Sequence, residues 1–481
     1  MILFLFLESV YVMRICCSDS WWCGERVSQK RGMQMKSKKM LAQIAAFSLV
    51  FGMTGVVSSW ADNTANEVVV NGTTVEQYDP IKCVKVDNTL VDKATDGSLS
   101  ITGKDVRGVW LTDGAILTAN NVNFNDKGTA NEVGLDSSSK LIMKGGSIKV
   151  PGVAFTADGG STATTDGTTI ETGVLARNST IILKNSTTTG VALYAGNEFG
   201  QGKVEEGLPV GTLTIDGGKA NVKNALVQNK GSMTVTNGAV LDLTGDLSAT
   251  DEDTQAATGI KKGGEIVVRA WGPDTNTVQV EKENSDTINK LDKATSFTVN
   301  GKSTIKADTI DVTGDSYQKH TARAKLMVSE SSTVTANTMN VGKYGYTYFK
   351  DSQLTVNGKL SVSGAADGPT NPNPVGVEMH GGSATLNEVN VKNKGNIDLD
   401  QTNITAKQLT MDSSSAKING GSLSTDDINL TNNVHFCAYR GAKLDVKSLT
   451  ADDSSIYVGR SDDNSDDEVS PAEVNVQQMA L

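Results

Sequence analysis

In Leu117-Thr-Ala119-Asn-Asn-Val122-Asn-Phe124 the apolar residues fall at offsets 0, 2, 5 and 7, with polar residues between them. The spacing returns as Ile305-Ala307-Ile310-Val312, Val334-Ala336-Met339-Val341 and Ile404-Ala406-Leu409-Met411. It returns again as Leu423-Thr425-Ile428-Leu430 and Leu444-Val446-Leu449-Ala451. Each half of the unit alternates with period two, so each half predicts a short strand with one face turned inward. The two polar residues in the middle reset the phase, as a corner between two strands does. From Ile404 to Leu423 to Leu444 the steps are 19 and 21 residues, and Ile305 to Val334 is 29. A period near 20 with tolerated insertions predicts a stacked repeat.

Looser segments obey the same grammar. Leu213-Thr-Ile215-Asp-Gly-Gly parallels Met233-Thr-Val235-Thr-Asn-Gly, and Phe297-Thr-Val299-Asn-Gly parallels Leu354-Thr-Val356-Asn-Gly. Each is a strand closed by a turn whose Asn or Gly can take positive φ. Gly-Gly pairs at 145–146, 159–160, 217–218, 263–264, 381–382 and 420–421 mark further corners. A lone unit of this size buries too few aliphatic side chains to offset the entropy of ordering its backbone, so it needs neighbours above and below. The expected fold is all-β, a right-handed parallel β-helix with a short helical leader. Roughly 18 coils would make a rod of about 90 Å. A propeller is disfavoured, because its blades need about 40–45 residues each.

The strand pattern runs from 98 to 460 and is expected to be broken at 192–211, 246–294, 343–350 and 364–376. The longest of these, 246–294, is polar and charged and reads as an insert. Excursions from a solenoid lie on its outside, where binding usually resides. Residues 62–97 read as an N-terminal cap and 461–481 as an acidic tail that ends abruptly.

Ahead of the repeats, Lys36, Lys38 and Lys39 precede the apolar run 41–57, and Ser59-Trp60-Ala61 is a small-x-small cleavage site. Residues 35–61 therefore read as a secretory signal peptide. Residues 1–34 differ in composition from everything downstream and read as an upstream extension, with translation starting at Met33 or Met35. Cleavage would remove 7 of 44 basic and 3 of 55 acidic residues, leaving 37 against 52, a net charge of −15. That balance argues against nucleic acid as a partner. Only Cys83 and Cys437 would remain, too far apart along a stack to pair.

Candidate chemistry is sparse. Asp216, Asp242 and Asp398 read as turn or solvent-facing residues. His320, His380 and His435 lack metal-ligand spacing. The alternation His435-Phe-Cys437-Ala-Tyr439 predicts a buried, inert thiol. Asp462-Asp-Asn464-Ser-Asp466 opens like a calcium loop with Glu473 at its twelfth position, but Asp467 stands where glycine is required. No catalytic residue, metal or cofactor is expected. The most suggestive feature is Tyr344, Tyr346 and Tyr348, which in a strand would form one row able to stack on sugar faces or anchor a protein; a packing cluster covering one coil is the plainer alternative.

A signal peptide followed by Gly-, Asn- and Thr-rich repeats with short valine-rich strands resembles the passenger region of autotransporters, the type V secreted proteins of Gram-negative bacteria. The resemblance spans about 62–460. It implies an adhesin-like protein at the cell surface, outer membrane or outside the cell, presenting loops to a host surface protein or glycan. Such proteins end in a translocator barrel of about 12 alternating strands, and no segment here has that pattern. The expectation is a truncated or split product that would stop in the periplasm. The competing readings are a carbohydrate-active β-helix enzyme and an inert passenger fragment.

Overall fold

Strand Thr180–Lys184 buries Ile181 and Leu183 and turns Thr180, Ile182 and Lys184 outward, the alternation of a wall with one dry face. In the computed structural model this wall is a sheet of fifteen parallel strands, from Ser98–Thr102 to Ser455–Val458. The structure describes residues 98–480 apart from 103–104, 107–108, 112–113, 115, 126–132, 150–154, 197–209, 229, 249–261, 271–294, 318–319, 365–375 and 460–470. The leader, the cap at 62–97, Cys83 and the calcium-like loop from Asp462 to Asp467 lie outside the described residues.

Successive strands of this sheet belong to successive turns of the chain, each lying parallel to the last. The inward column runs Leu117, Leu141, Ala163, Ile181, Leu213 and Met233, each in register with the next. It continues through Phe297 and Leu326. The described chain is therefore a parallel β-helix, with one continuous core of Val, Ile, Leu, Ala, Met and Phe along its axis. Fifteen coils at about 4.8 Å give a rod of about 70 Å. That is shorter than the sequence pattern predicts, because several coils hold more than 20 residues, as between Thr180–Lys184 and Thr212–Asp216 and between Ser232–Thr236 and Thr295–Val299.

The cross-section changes along the rod. In the first seven coils each turn has three short strands, as in Thr212–Asp216, Lys219–Asn221 and Asn224–Gln228. At Thr304–Thr313 the second and third sides merge into one long bent strand. Its first part pairs with Val240–Asp242 and its second with Glu265–Arg269. At the bend, the amides of Asp308 and Thr309 both donate to the carbonyl of Gly264. Every later coil keeps this long strand, ending with Glu473–Ala480.

Five of the six predicted repeats lie on this bent strand, and their offsets 0, 2, 5 and 7 are its buried positions. The Leu117 copy does not align with them. Leu117 and Ala119 lie on the fifteen-stranded face and Phe124 on the next side, so the same spacing there turns a different corner. A further copy, Ala384-Leu386-Val389-Val391, was hidden by its weak first residue. Another, at Leu354, is stretched by one residue at Asn357-Gly358, where the register shifts.

The excursions are narrower than the sequence implies. Ala192–Gly196 and Gly345–Lys350 are wall strands, not loops. Within 246–294, Glu265–Arg269 is the third side of the seventh coil, pairing with Asn224–Gln228 and Thr309–Thr313. The tail likewise returns to the wall at Glu473–Ala480, in register with the preceding coil. A small antiparallel hairpin, Asp315–Tyr317 with His320–Ala322, accounts for the long step from Ile305 to Val334. On the outer surface of the third side, Leu175, Tyr194 and Leu226 are nevertheless buried and contact one another and Val267. The Tyr194 phenol, accepting a hydrogen bond from Gln228, is pushed up to about 12 by its burial.

Candidate functional site

Outward positions on the fifteen-stranded face carry threonine over much of the first coils, then change character at Gly345–Lys350. Thr347 and Phe349 of this strand point into the core, so Tyr346, Tyr348 and Lys350 point out. Tyr346 and Tyr348 stack with ring centroids 6.4 Å apart. Tyr344 does not join them. It precedes the strand in a turn at φ 57°, with Lys343 Nζ 5.4 Å from its ring centroid. A positive φ breaks the alternation on which a three-tyrosine row depends, so the row has two members.

Stacking brings the next coils under these rings. Tyr348 is in register with Glu378, then Asp398, Lys417, Cys437 and Tyr457, one per coil. Beside this column run Lys350, His380, Asp400, Asn419 and Tyr439. The first column spans about 24 Å at the coil spacing.

The side chains engage across coils. Tyr346 Oη donates to Glu378 Oε2 at 2.5 Å. Glu378 Oε1 lies 2.5 Å from His380 Nε2, and the other ring nitrogen lies 3.5 Å from Asp400 Oδ2. The His380 ring sits 5.3 Å from that of Tyr348. Asn419 Nδ2 donates to Asp400 Oδ1. Further along, Lys417 Nζ lies 5.8 Å from the Tyr439 ring, which contacts Tyr457 at 5.3 Å. The result is a strip with tyrosines at both ends and an acid–imidazole centre.

Its electrostatics follow from packing acids together on a half-covered surface. Burial first, then Glu378 and Asp400, raises the Asp398 carboxyl above its ordinary range against the opposing pull of Lys417 and His380. Burial and the bond to Glu378 raise the Tyr346 phenol, which therefore stays a hydrogen-bond donor. Tyr348 is raised by burial and by Glu378, Asp351 and Asp400. Chemically, the strip offers flat aromatic faces beside carboxylate acceptors, a pairing suited to the apolar faces and hydroxyl edges of a sugar.

The other sequence candidates fall elsewhere. Asp216 and Asp242 end their strands, as turn residues do; Asp216 accepts from Asn237, and Asp242 from Thr244. Asp398, read as a turn or solvent-facing residue, lies in the middle of strand Asn396–Asp400, on its outward phase. His435 is exposed and bonds Ser455 at 2.8 Å. His320 lies in the hairpin, opposite Tyr317. Cys437 is a free, half-buried thiol on the outside, not a core residue, because Phe436 and Ala438 take the inward phase. Among the described residues no three His, Cys, Asp or Glu side chains converge as a metal-binding group. Sequence reading missed Glu378, Asp400 and Lys417 because nothing local marks them. The signal that could have found them is the steps of 20, 19, 20 and 20 residues from Glu378 through Asp398, Lys417 and Cys437 to Tyr457. No family model, no curated protein and no solved structure matches this chain.

Proposed function

We propose that this chain is an exported, adhesin-like β-helical passenger of the autotransporter type, and that the strip from Tyr346 to Tyr457 is its ligand-binding surface. The partner is a host or neighbouring-cell glycan, or a surface protein presenting one. The observation that carries this reading is the outward placement of half-buried Tyr348, stacked on a buried Tyr346, beside Glu378, His380 and Asp400 on a wall whose core-facing side is already filled. A wall strand needs no aromatic on its solvent face, and a pair of them coupled to acids is typical of recognition surfaces. The test is binding of the purified chain to host-cell surfaces and to a glycan panel. Tyr348→Ala with His380→Ala should weaken binding about tenfold or more while the melting temperature holds. Unchanged binding rejects the strip as the site.

A second reading, a carbohydrate-active enzyme, is favoured by one observation: the raised Asp398 carboxyl lies one coil from Glu378 and beside Asp400, the pairing of a proton donor with a carboxylate that glycoside cleavage uses. New reducing or unsaturated ends released from polygalacturonate or host glycans, and lost in Asp398→Asn, would establish it. No release from any of them would leave binding as the function.

A further inference from the structure

At the middle of the strip one acid stands apart from its neighbours. Glu378 is committed on both oxygens, Oε2 accepting from Tyr346 and Oε1 lying 2.5 Å from His380 Nε2. Asp400 is committed in the same way, Oδ1 accepting from Asn419 and Oδ2 lying 3.5 Å from His380 Nδ1. Asp398 lies beside both, half-buried on the outward phase, and its carboxyl forms no hydrogen bond or ion pair among the described residues. Asn396 and Asp400 flank it on its own strand. Gly376, Glu378 and His380 border it from the coil before, and Ser415, Lys417 and Asn419 from the coil after.

What such an open carboxyl accepts is set by charge. Burial raises it, and Glu378 and Asp400 add to the rise while Lys417 and His380 oppose it. A ligand hydroxyl would gain one ordinary hydrogen bond there. A ligand ammonium would gain a charge-assisted bond and the attraction of Glu378 and Asp400 besides. A ligand carboxylate would be repelled. The aromatic end of the strip favours the same charge. After burial, the groups that raise the Tyr348 phenol are Glu378, Asp351 and Asp400, all carboxylates, and a tyrosine face attracts cations. The strip already holds one such contact, with Lys417 Nζ 5.8 Å from the centroid of the Tyr439 ring. Tyr348 and Asp398 lie two coils apart in one column, about 10 Å, so a short oligosaccharide resting on the ring reaches the acid.

We propose that the strip selects glycans carrying unacetylated amino sugars, with Asp398 receiving the protonated amine and Tyr348 the face of a neighbouring sugar. This rests on the strip being the ligand-binding surface. It adds the charge of the ligand and the residue that reads it.

Isothermal titration calorimetry on the purified 481-residue chain tests it. The probes are a β-linked glucosamine tetramer and its fully N-acetylated counterpart, of equal length and linkage, at a pH of about 6, where the free amines are charged. The free-amine tetramer should bind about tenfold more tightly or better. Asp398→Asn keeps the shape of the side chain without its charge. It should bring the two affinities within about twofold of each other, with no fall in melting temperature. Tyr348→Ala should weaken the free-amine tetramer as well. Equal binding of the two tetramers by the parent overturns the proposal; if Tyr348→Ala then weakens both alike, the strip stands as the binding surface without the charge preference. A preference that survives Asp398→Asn also overturns it, and if Tyr348→Ala is without effect too, the strip itself is rejected. No binding of the free-amine tetramer overturns the proposal as well, while the wider glycan panel decides the strip.

Discussion

Tyr346 and Glu378 are thirty-two residues apart in sequence and one coil apart in space, and the phenol of the first donates to the carboxylate of the second at 2.5 Å. The bond links two adjacent coils on the outside of the wall, where backbone pairing alone would otherwise join them. Hydrogen bonds to charged groups are worth about 1.5–3 kcal/mol, and partial exposure brings this one to the lower end. Tyr346→Phe should therefore cost about 1–2 kcal/mol. A double-mutant cycle with Glu378→Gln, read from urea unfolding, should show the two substitutions coupled, with the double variant little worse than the worse single one. Strict additivity would mean the pair does not interact in solution.

The burial of Asp398, with Glu378 and Asp400 nearby, gives a pH dependence of definite sign. Its carboxyl is raised in the folded chain, so the folded state holds that proton more tightly than the unfolded state does. The contribution to stability is then full below the unfolded value, about 4, and is lost as pH rises through the raised folded value. Asp398→Asn removes the charge and should raise the melting temperature at neutral pH by about 1–2 °C. The gain should shrink to nothing near pH 4. A gain that persists in acid would place its origin elsewhere.

Two glycines at corners separate backbone strain from crowding. Gly238, at φ 72°, has open space where a Cβ would stand; at Gly421, φ 68°, a Cβ would come 2.1 Å from the carbonyl oxygen of Thr402 one coil below. Gly238→Ala should cost about 1 kcal/mol from the left-handed conformation alone. Gly421→Ala should cost on the order of 3 kcal/mol or more, because the coils must part to admit the methyl group. Equal costs, measured by thermal unfolding, would contradict the coil spacing.

Cys437 offers a direct check of phase. With its side chain on the outer face it should react with a thiol reagent in the native state far faster than a core thiol would, and Cys437→Ser should leave stability within about 0.5 kcal/mol. Protection from the reagent until unfolding would return it to the core.

That residue also shows where sequence legibility stops. Alternation around Cys437 is plain, but alternation has two phases, and the choice depends on which of Phe436 and Cys437 the neighbouring coils need inside. Phe436 wins because it continues the column of Ala416 beneath it. The columns of the bent strand were legible because both halves of the 0, 2, 5, 7 unit carry large aliphatics. The Leu117 copy misled because corners of equal geometry occur at more than one place on the coil. The binding strip was illegible for a different reason: its partners are spaced by a full coil and sit at polar positions that any solvent-facing residue could fill. Tyr344 could be placed in a strand only while its positive φ was unknown.

The whole account depends on coils stacking at a constant rise, and distances along one outward column measure that rise. Thr118, Thr298 and Lys417 occupy one such column, six coils and then five further coils apart. Spin labels at these positions, taken in pairs on a cysteine-free background, should report about 29 Å from 118 to 298 and about 53 Å from 118 to 417 by double electron–electron resonance. Distances that fail to grow with coil number, or a 118 to 417 separation no longer than 118 to 298, would contradict it.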